Sequence, residues 1–117
     1  KADLKGSSEV PPNTTSGTGS VTATYDPATK ELTWSGTFSG LTGPAMAGHF
    51  HGPAEVGKNA GVQIWISEKG KPFESPFKGS AKLSDAQASD LMNGQWYVNI
   101  HTKANPGGEI RGQLVKS

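Results

Sequence analysis

Recurrent turn signals limit this chain to short elements of structure. Clusters of Pro, Gly and Asn interrupt its 117 residues about every ten to fifteen residues. They stand at Pro11-Pro12-Asn13, Asp26-Pro27, Gly40 to Pro44, Gly52-Pro53, Gly70 to Pro72 and Asn105-Pro106-Gly107-Gly108. This spacing, with many Gly, Ser and Thr, favours short strands joined by tight turns over helical bundles.

Between the turns, apolar residues alternate with polar ones, as in strands that cover a core with one face. The alternation is cleanest in residues 30–39. Across the chain it places these residues inward: Val21, Ala23, Tyr25, Leu32, Trp34, Gly36, Phe38, Val62, Ile64, Ile66, Trp96, Val98, Ile100, Ile110, Gly112 and Leu114. Their neighbours on the last two strands are predicted to face solvent, and these include Tyr97, Asn99, His101, Glu109 and Arg111.

One segment breaks the alternation and predicts a short helix near residues 85–93. Ser84 and Gln87 have the spacing of a capping box, and Gly94 suits the left-handed position after the last turn. Seven to eight strands with this helix predict an all-β fold, an antiparallel Greek-key sandwich or flattened barrel. We expect a single domain over residues 1–117.

Charge and composition exclude several classes of partner. Eleven basic against ten acidic residues give a formal charge of +1, which argues against nucleic-acid binding. No apolar run approaches the ~20 residues that span a bilayer. The chain has no Cys, and it begins with Lys, which suggests a processed N-terminus and hence export.

The three His residues are the candidate metal ligands. In a strand, His49 and His51 project from the same face about 6.6 Å apart. His101 is expected on the outward face of another strand, so the three rings would meet outside the barrel. Three imidazoles without thiolate suit one copper ion, Cu(I) or Cu(II), with zinc a weaker candidate. The alternative is three ordinary hydrogen-bonded His residues.

Several motifs resemble those of the CHRD domain, and the likeness covers essentially the whole chain. They are Leu4-Lys5-Gly6 through Glu9-Val10-Pro11-Pro12, Gly40-Leu41-Thr42-Gly43-Pro44, Gly48-His49-Phe50-His51-Gly52-Pro53-Ala54, Tyr97-Val98-Asn99-Ile100-His101-Thr102 and Pro106-Gly107-Gly108-Glu109-Ile110-Arg111-Gly112-Gln113-Leu114. The domain is named after chordin, an extracellular antagonist of growth factors, and also occurs as small exported bacterial proteins. The resemblance to this stand-alone type implies a periplasmic or secreted protein.

A more distant resemblance links the chain to Cu,Zn superoxide dismutases. Gly48-His49-Phe50-His51 is similar to their His-Val-His copper strand, and residues 98–104 are similar to the later strand that supplies another copper ligand. This resemblance implies that His49, His51 and His101 bind copper and that Arg111 guides superoxide, a small anion. The chain lacks a further bridging His, a zinc-binding loop and a Cys pair, so a single copper is implied.

The remaining candidates surround the His cluster. Glu9 and Asn99 are predicted to hydrogen-bond the ligand rings from outside, the alternative for each being an exposed polar residue. Arg111 has an ion pair with Glu9 or Glu109 as its alternative.

Four further side chains are assigned from the alternation alone. Met46 and Met92 fall on apolar patterns and are expected in the core. Trp65 and Tyr97 are expected outside, packed against a loop or against a second subunit in a homodimer.

Two functions are consistent with the sequence. The first is an exported copper-binding protein that either dismutates superoxide or handles copper in the cell envelope. The second is a non-catalytic interaction or matrix module whose His residues are structural.

Overall fold

Eight strands run through the residues that the computed structural model describes, which are 1–10, 12–66 and 72–116. They are β1 Ala2–Lys5, β2 Thr18–Asp26, β3 Glu31–Ser39, β4 Ala45–His51, β5 Val62–Trp65, β6 Phe77–Lys82, β7 Tyr97–Thr102 and β8 Ile110–Gln113. A short 3₁₀ turn, Gly6–Ser8, follows β1. Residues 70 and 71 of the predicted turn from Gly70 to Pro72 lie outside the described residues.

All eight strands belong to one antiparallel sheet in the order β5-β4-β7-β8-β1-β2-β3-β6. Four strands separate β4 from β3 in this order, yet the rings of Phe50 and Trp34 meet across the interior with centroids 5.0 Å apart. The sheet is therefore curled around its core into a nearly closed barrel, as predicted for an all-β antiparallel chain of seven to eight strands.

The predicted inward residues supply most of the core. Val21, Leu32, Trp96 and Ile100 are fully buried, and the partly buried Ala23, Tyr25 and Phe38 pack against the core that they form. Burial of such large apolar side chains stabilises the fold by about 1.5–3 kcal/mol each. Gly79 faces Trp34 across β3 and β6, and the indole occupies the space that a Cβ at residue 79 would need.

Three inward assignments are wrong, each for a local reason. Val62 is 42% exposed because the pairing of β5 with β4 shifts between Phe50 and His51, which interrupts the alternation. Met46 is exposed beside a second register shift, between residues 45 and 47 of β4. Met92 is the last residue of the helix and is also exposed.

The predicted helix is confirmed as α1, Asp85–Met92. The capping box forms in both directions: Gln87 N donates to Ser84 Oγ at 3.2 Å, and Ser84 N donates to Gln87 Oε1 at 2.9 Å. Gly94 adopts a φ of +73°, which favours glycine. This helix, the one α-helix in the described part of the chain, is too short to cross a membrane.

A loop forms a second layer over the outer faces of β7 and β8. Residues 52–61 connect β4 to β5, and polar side chains on the outer faces of β7 and β8 hold them in place. Gln113 Nε2 donates to Ala54 O at 2.8 Å, and Ala60 N donates to the hydroxyl of Tyr97 at 3.1 Å. The expectation that Tyr97, Asn99 and Arg111 face solvent is therefore wrong, since this loop contacts Tyr97 and Arg111, and Asn99 is buried beside His51.

A buried carboxylate joins four segments at one end of the barrel. Glu109, predicted to face solvent, is instead fully buried. It accepts hydrogen bonds from the hydroxyls of Thr15, Thr42 and Thr102, from Thr42 N and from Asn105 Nδ2. Burial alone would raise the pKa of this carboxyl, but the hydrogen bonds outweigh it and hold the pKa at about 2.

We predict that Glu109 makes folding sensitive to acid. Its pKa is depressed on folding, so its contribution is complete above the unfolded value of 4.5 and is lost as the pH falls towards about 2. The difference in unfolding free energy between the wild type and Glu109→Gln, measured by urea denaturation, should be largest at pH 5 or above and shrink below pH 4.5. A difference independent of pH would contradict this assignment.

Candidate metal centre

The pairing of β4 with β7 brings the three His residues together. In this register His51 lies opposite Tyr97, His49 opposite Asn99 and Ala47 opposite His101. His101 is therefore a diagonal neighbour of His49 on the same outer face of the sheet, although 52 residues separate them along the chain.

The rings meet at one point outside the barrel. His49 Nδ1 lies 3.1 Å from His101 Nε2, and one ligand atom from each His can be chosen so that all three lie within 4.8 Å of one another. Metal–nitrogen bonds of about 2.0–2.1 Å allow two ligand nitrogens to be at most about 4.2 Å apart. A movement of the His rings towards one another by less than ~1 Å would therefore place all three nitrogens around one ion.

The cluster is less exposed than the sequence predicts. His49 and His51 are only 7% and 8% exposed, and His101 is half-buried, so the expectation of three rings on the solvent side is wrong. The loop of residues 52–61 covers His51 from outside, Trp65 packs on His49, and the carbonyl of Pro106 contacts His101.

Hydrogen bonds fix which nitrogens of His49 and His101 carry protons. His101 Nδ1 donates to the carbonyl of Pro106 at 2.9 Å, so its Nε2 carries a lone pair. That lone pair accepts from His49 Nδ1, which leaves His49 Nε2 as a buried lone pair without a hydrogen-bond partner among the described residues. A backbone carbonyl on the far nitrogen is how metal-binding His residues are usually oriented.

His51 lies between two oxygen atoms. Its Nδ1 is 3.0 Å from Ala60 O, and its Nε2 is 2.8 Å from Asn99 Oδ1. A neutral imidazole has one N–H, so one of the two nitrogens faces its oxygen with a lone pair. His51 therefore also has one nitrogen with a free lone pair. To bind a metal ion, that nitrogen has to move away from the oxygen atom beside it.

Glu9 and Asn99 both lie near the His cluster, but only Asn99 contacts an imidazole directly. Asn99 contacts His51 directly, whereas Glu9 reaches the site through Asn99, whose amide hydrogen-bonds the carboxylate. Both are buried. Gly108 makes room for them, because a Cβ there would clash with Glu9 Oε2 and come within 2.8 Å of Asn99 Nδ2.

Arg111 is enclosed below the loop. It is 2% exposed, so the expectation of an outward, solvent-facing Arg is wrong. Its guanidinium lies 3.5 Å above the Tyr97 ring and donates to Asn59 Oδ1 and to Lys58 O. Its predicted alternative, an ion pair with Glu9 or Glu109, is not formed within 4 Å in the described part of the chain.

A family model for the CHRD domain matches residues 1–114. The chain belongs to the CHRD domain family. The comparisons with curated proteins and with solved structures gave no match. The resemblance to the CHRD domain is thus confirmed, whereas the resemblance to the copper site of superoxide dismutases is not supported by any comparison and stays a prediction.

Two aromatic residues of the CHRD domain complete the site. The ring of Tyr97 stacks on that of His51 with an interplanar angle of 3° and a centroid distance of 4.8 Å. Trp65 packs edge-on against His49, with centroids 4.1 Å apart. The sequence assigns both only to the outer surface, although the alternation already places Tyr97 on the face of His101. The contacts of the Ala60 and Pro106 carbonyls with the His rings could not be predicted from the sequence, because every residue has a main-chain carbonyl.

Burial governs the protonation of the three imidazoles. It lowers the pKa of His49 to about 4, aided by repulsion from the neighbouring His101 and His51. Burial also lowers the pKa of His51, against the hydrogen bonds to Ala60 and Asn99, and that of His101, against its bond to Pro106. At neutral pH the cluster is therefore a set of uncharged nitrogen donors.

We predict that Gly108 tolerates no side chain while its neighbour does. Gly108→Ala places a Cβ against Glu9 and Asn99 at a φ of +125°, and should destabilise the CHRD domain by about 1–3 kcal/mol. Gly107→Ala is the matched control, because nothing lies within 4 Å of a Cβ there, and it should change the stability by no more than about 0.5 kcal/mol. Equal thermal or urea stability of the two variants would contradict the packing described for Gly108.

Proposed function

We propose that this CHRD domain binds one copper ion through His49, His51 and His101. The observation that carries the proposal is the convergence of three imidazoles within 4.8 Å, with a buried unpartnered nitrogen on His49. The second nitrogen of His101 is held by a carbonyl, the arrangement that orients a ligand imidazole.

The donor set favours copper over zinc. The cluster supplies three neutral nitrogens and includes no carboxylate or thiolate among the described residues. For such a site the Irving–Williams order places Cu(II) above Zn(II), and Cu(I) is satisfied by three nitrogen ligands. Copper would add one-electron redox chemistry to a chain whose own side chains at the site only bind and orient.

The geometry favours copper handling over dismutation of superoxide. We propose that the handling takes place in the periplasm or outside the cell, as the resemblance to the exported stand-alone proteins implies. An anion guide has to meet solvent, but the Arg111 guanidinium is buried and bound to the loop of residues 52–61. We therefore limit the proposal to binding and handling of the ion, and leave the guidance of superoxide by Arg111 as a prediction of the distant resemblance.

A second function, a metal-free interaction module, is favoured by one observation. His49 and His101 hydrogen-bond each other directly, and both nitrogens of His51 have oxygen neighbours. These contacts give the rings structural partners in the absence of an ion. The two functions differ in whether the cluster opens to accept a metal.

Titration with copper tests the proposal. The metal-free protein should bind one equivalent, and His49→Ala should lower the affinity by about a hundredfold or more, since it removes a ligand and leaves its partners in place. Met46→Ala is the control, because Met46 is an exposed residue of the same strand. Binding that is unchanged in His49→Ala would reject the site and favour the interaction module.

The pH dependence of copper affinity gives an independent check. Protons compete with the metal only where the rings become protonated, and the pKa values of all three lie below the ordinary value of 6.5. The affinity should change little between pH 7.5 and 6.5 and should fall as the pH approaches 4, where His49 is protonated. A loss centred at pH 6.5 would indicate exposed His residues as the ligands.

A further inference from the structure

Arg111 is a buried cation close to the proposed metal site. Its guanidinium lies on one face of Tyr97, and His51 stacks on the other face, since a single face has no room for both groups. These two contacts place the positive charge no more than about 8 Å from the centre of the His51 ring.

The charge of Arg111 is not cancelled by a close carboxylate in the described residues. Its nitrogen partners are the Asn59 amide oxygen and the Lys58 carbonyl, both neutral. Glu9 is the carboxylate that interacts with it electrostatically, from beyond ion-pair distance. Buried charges are usually paired, so an unpaired guanidinium beside a cluster of neutral nitrogens calls for a role beyond packing.

We infer that Arg111 determines the oxidation state of the copper that this site holds, by disfavouring the doubly charged Cu(II) relative to the singly charged Cu(I). The inference rests on the proposed copper site. A fixed positive charge at this distance, under a loop that excludes water, raises the energy of the ion with the higher charge by the larger amount. The Tyr97 ring holds the guanidinium in position and lies between it and the His51 ring.

The experiment measures the affinities of the whole chain for Cu(I) and for Cu(II) separately, by competition with bathocuproine disulfonate and with nitrilotriacetate. Arg111→Gln should raise the ratio of Cu(II) to Cu(I) affinity about tenfold, which corresponds to a fall of about 59 mV in the reduction potential. Arg111→Lys keeps the charge and should leave the ratio close to the wild-type value.

Two further variants separate charge from structure. Asn59→Ala removes a hydrogen bond of Arg111 but no charge, so it should leave the ratio unchanged even where stability falls. Glu9→Gln, measured at pH 8, removes a negative charge and should shift the ratio in the opposite direction, towards Cu(I). Lys78→Gln, an exposed cation on β6, is the control for charge removed elsewhere.

The outcomes are distinct. A wild-type protein that binds neither form of copper would reject the proposed function itself. A wild-type protein that binds copper, with the same ratio in Arg111→Gln, or with equal shifts in Arg111→Gln and Arg111→Lys, would overturn the role of Arg111 alone. If Arg111→Gln does not fold, Glu9→Gln decides, because the absence of a shift towards Cu(I) would overturn the inference.

Discussion

The pairing of β4 with β7 is the constraint on which the site depends. It is an antiparallel ladder in which residues 47, 49 and 51 stand opposite 101, 99 and 97. This register places His101 beside His49, Asn99 within reach of His51, and Tyr97 flat against the His51 ring. A slip by one residue would turn the His side chains of one strand into the core, so the apolar residues Phe50, Val98 and Ile100 fix the geometry of the polar face.

The sequence predicts the inner layer well because that layer depends on periodicity. Alternation identifies Leu32, Trp34, Val98 and Ile100 as core residues, and the capping box at Ser84 locates the helix. The same alternation also puts all three His residues on outer faces, and the sheet brings them together. Where the register shifts, as at Met46 and Val62, the alternation fails, since nothing in the residue types marks those shifts.

The outer layer could not be predicted from the same signal. The loop of residues 52–61 has no periodicity, and it attaches through the carbonyls of Lys58 and Ala60, which every residue possesses. This loop covers His51 and Arg111, while Trp65 packs on His49 and the carbonyl of Pro106 contacts His101, so the outer face becomes a largely buried polar cluster. The sequence therefore specifies which side chains share a face, whereas the burial that sets their chemistry depends on a segment without a pattern.

Two buried glutamates show how strongly that chemistry depends on the number of donors. Glu109 accepts five hydrogen bonds and keeps its charge, with a pKa of about 2. For Glu9, burial raises the pKa to about 7, against the attraction of Arg111 and the hydrogen bond from Asn99, and Oε2 has no partner among the described residues. The His side of the barrel thus holds the permanently charged guanidinium of Arg111, the Glu9 carboxyl with a raised pKa, and three imidazoles with lowered pKa values. Burial and neighbouring positive charge act in the same direction on the imidazoles, because both disfavour their protonated forms, but in opposite directions on Glu9, where burial outweighs the attraction of Arg111.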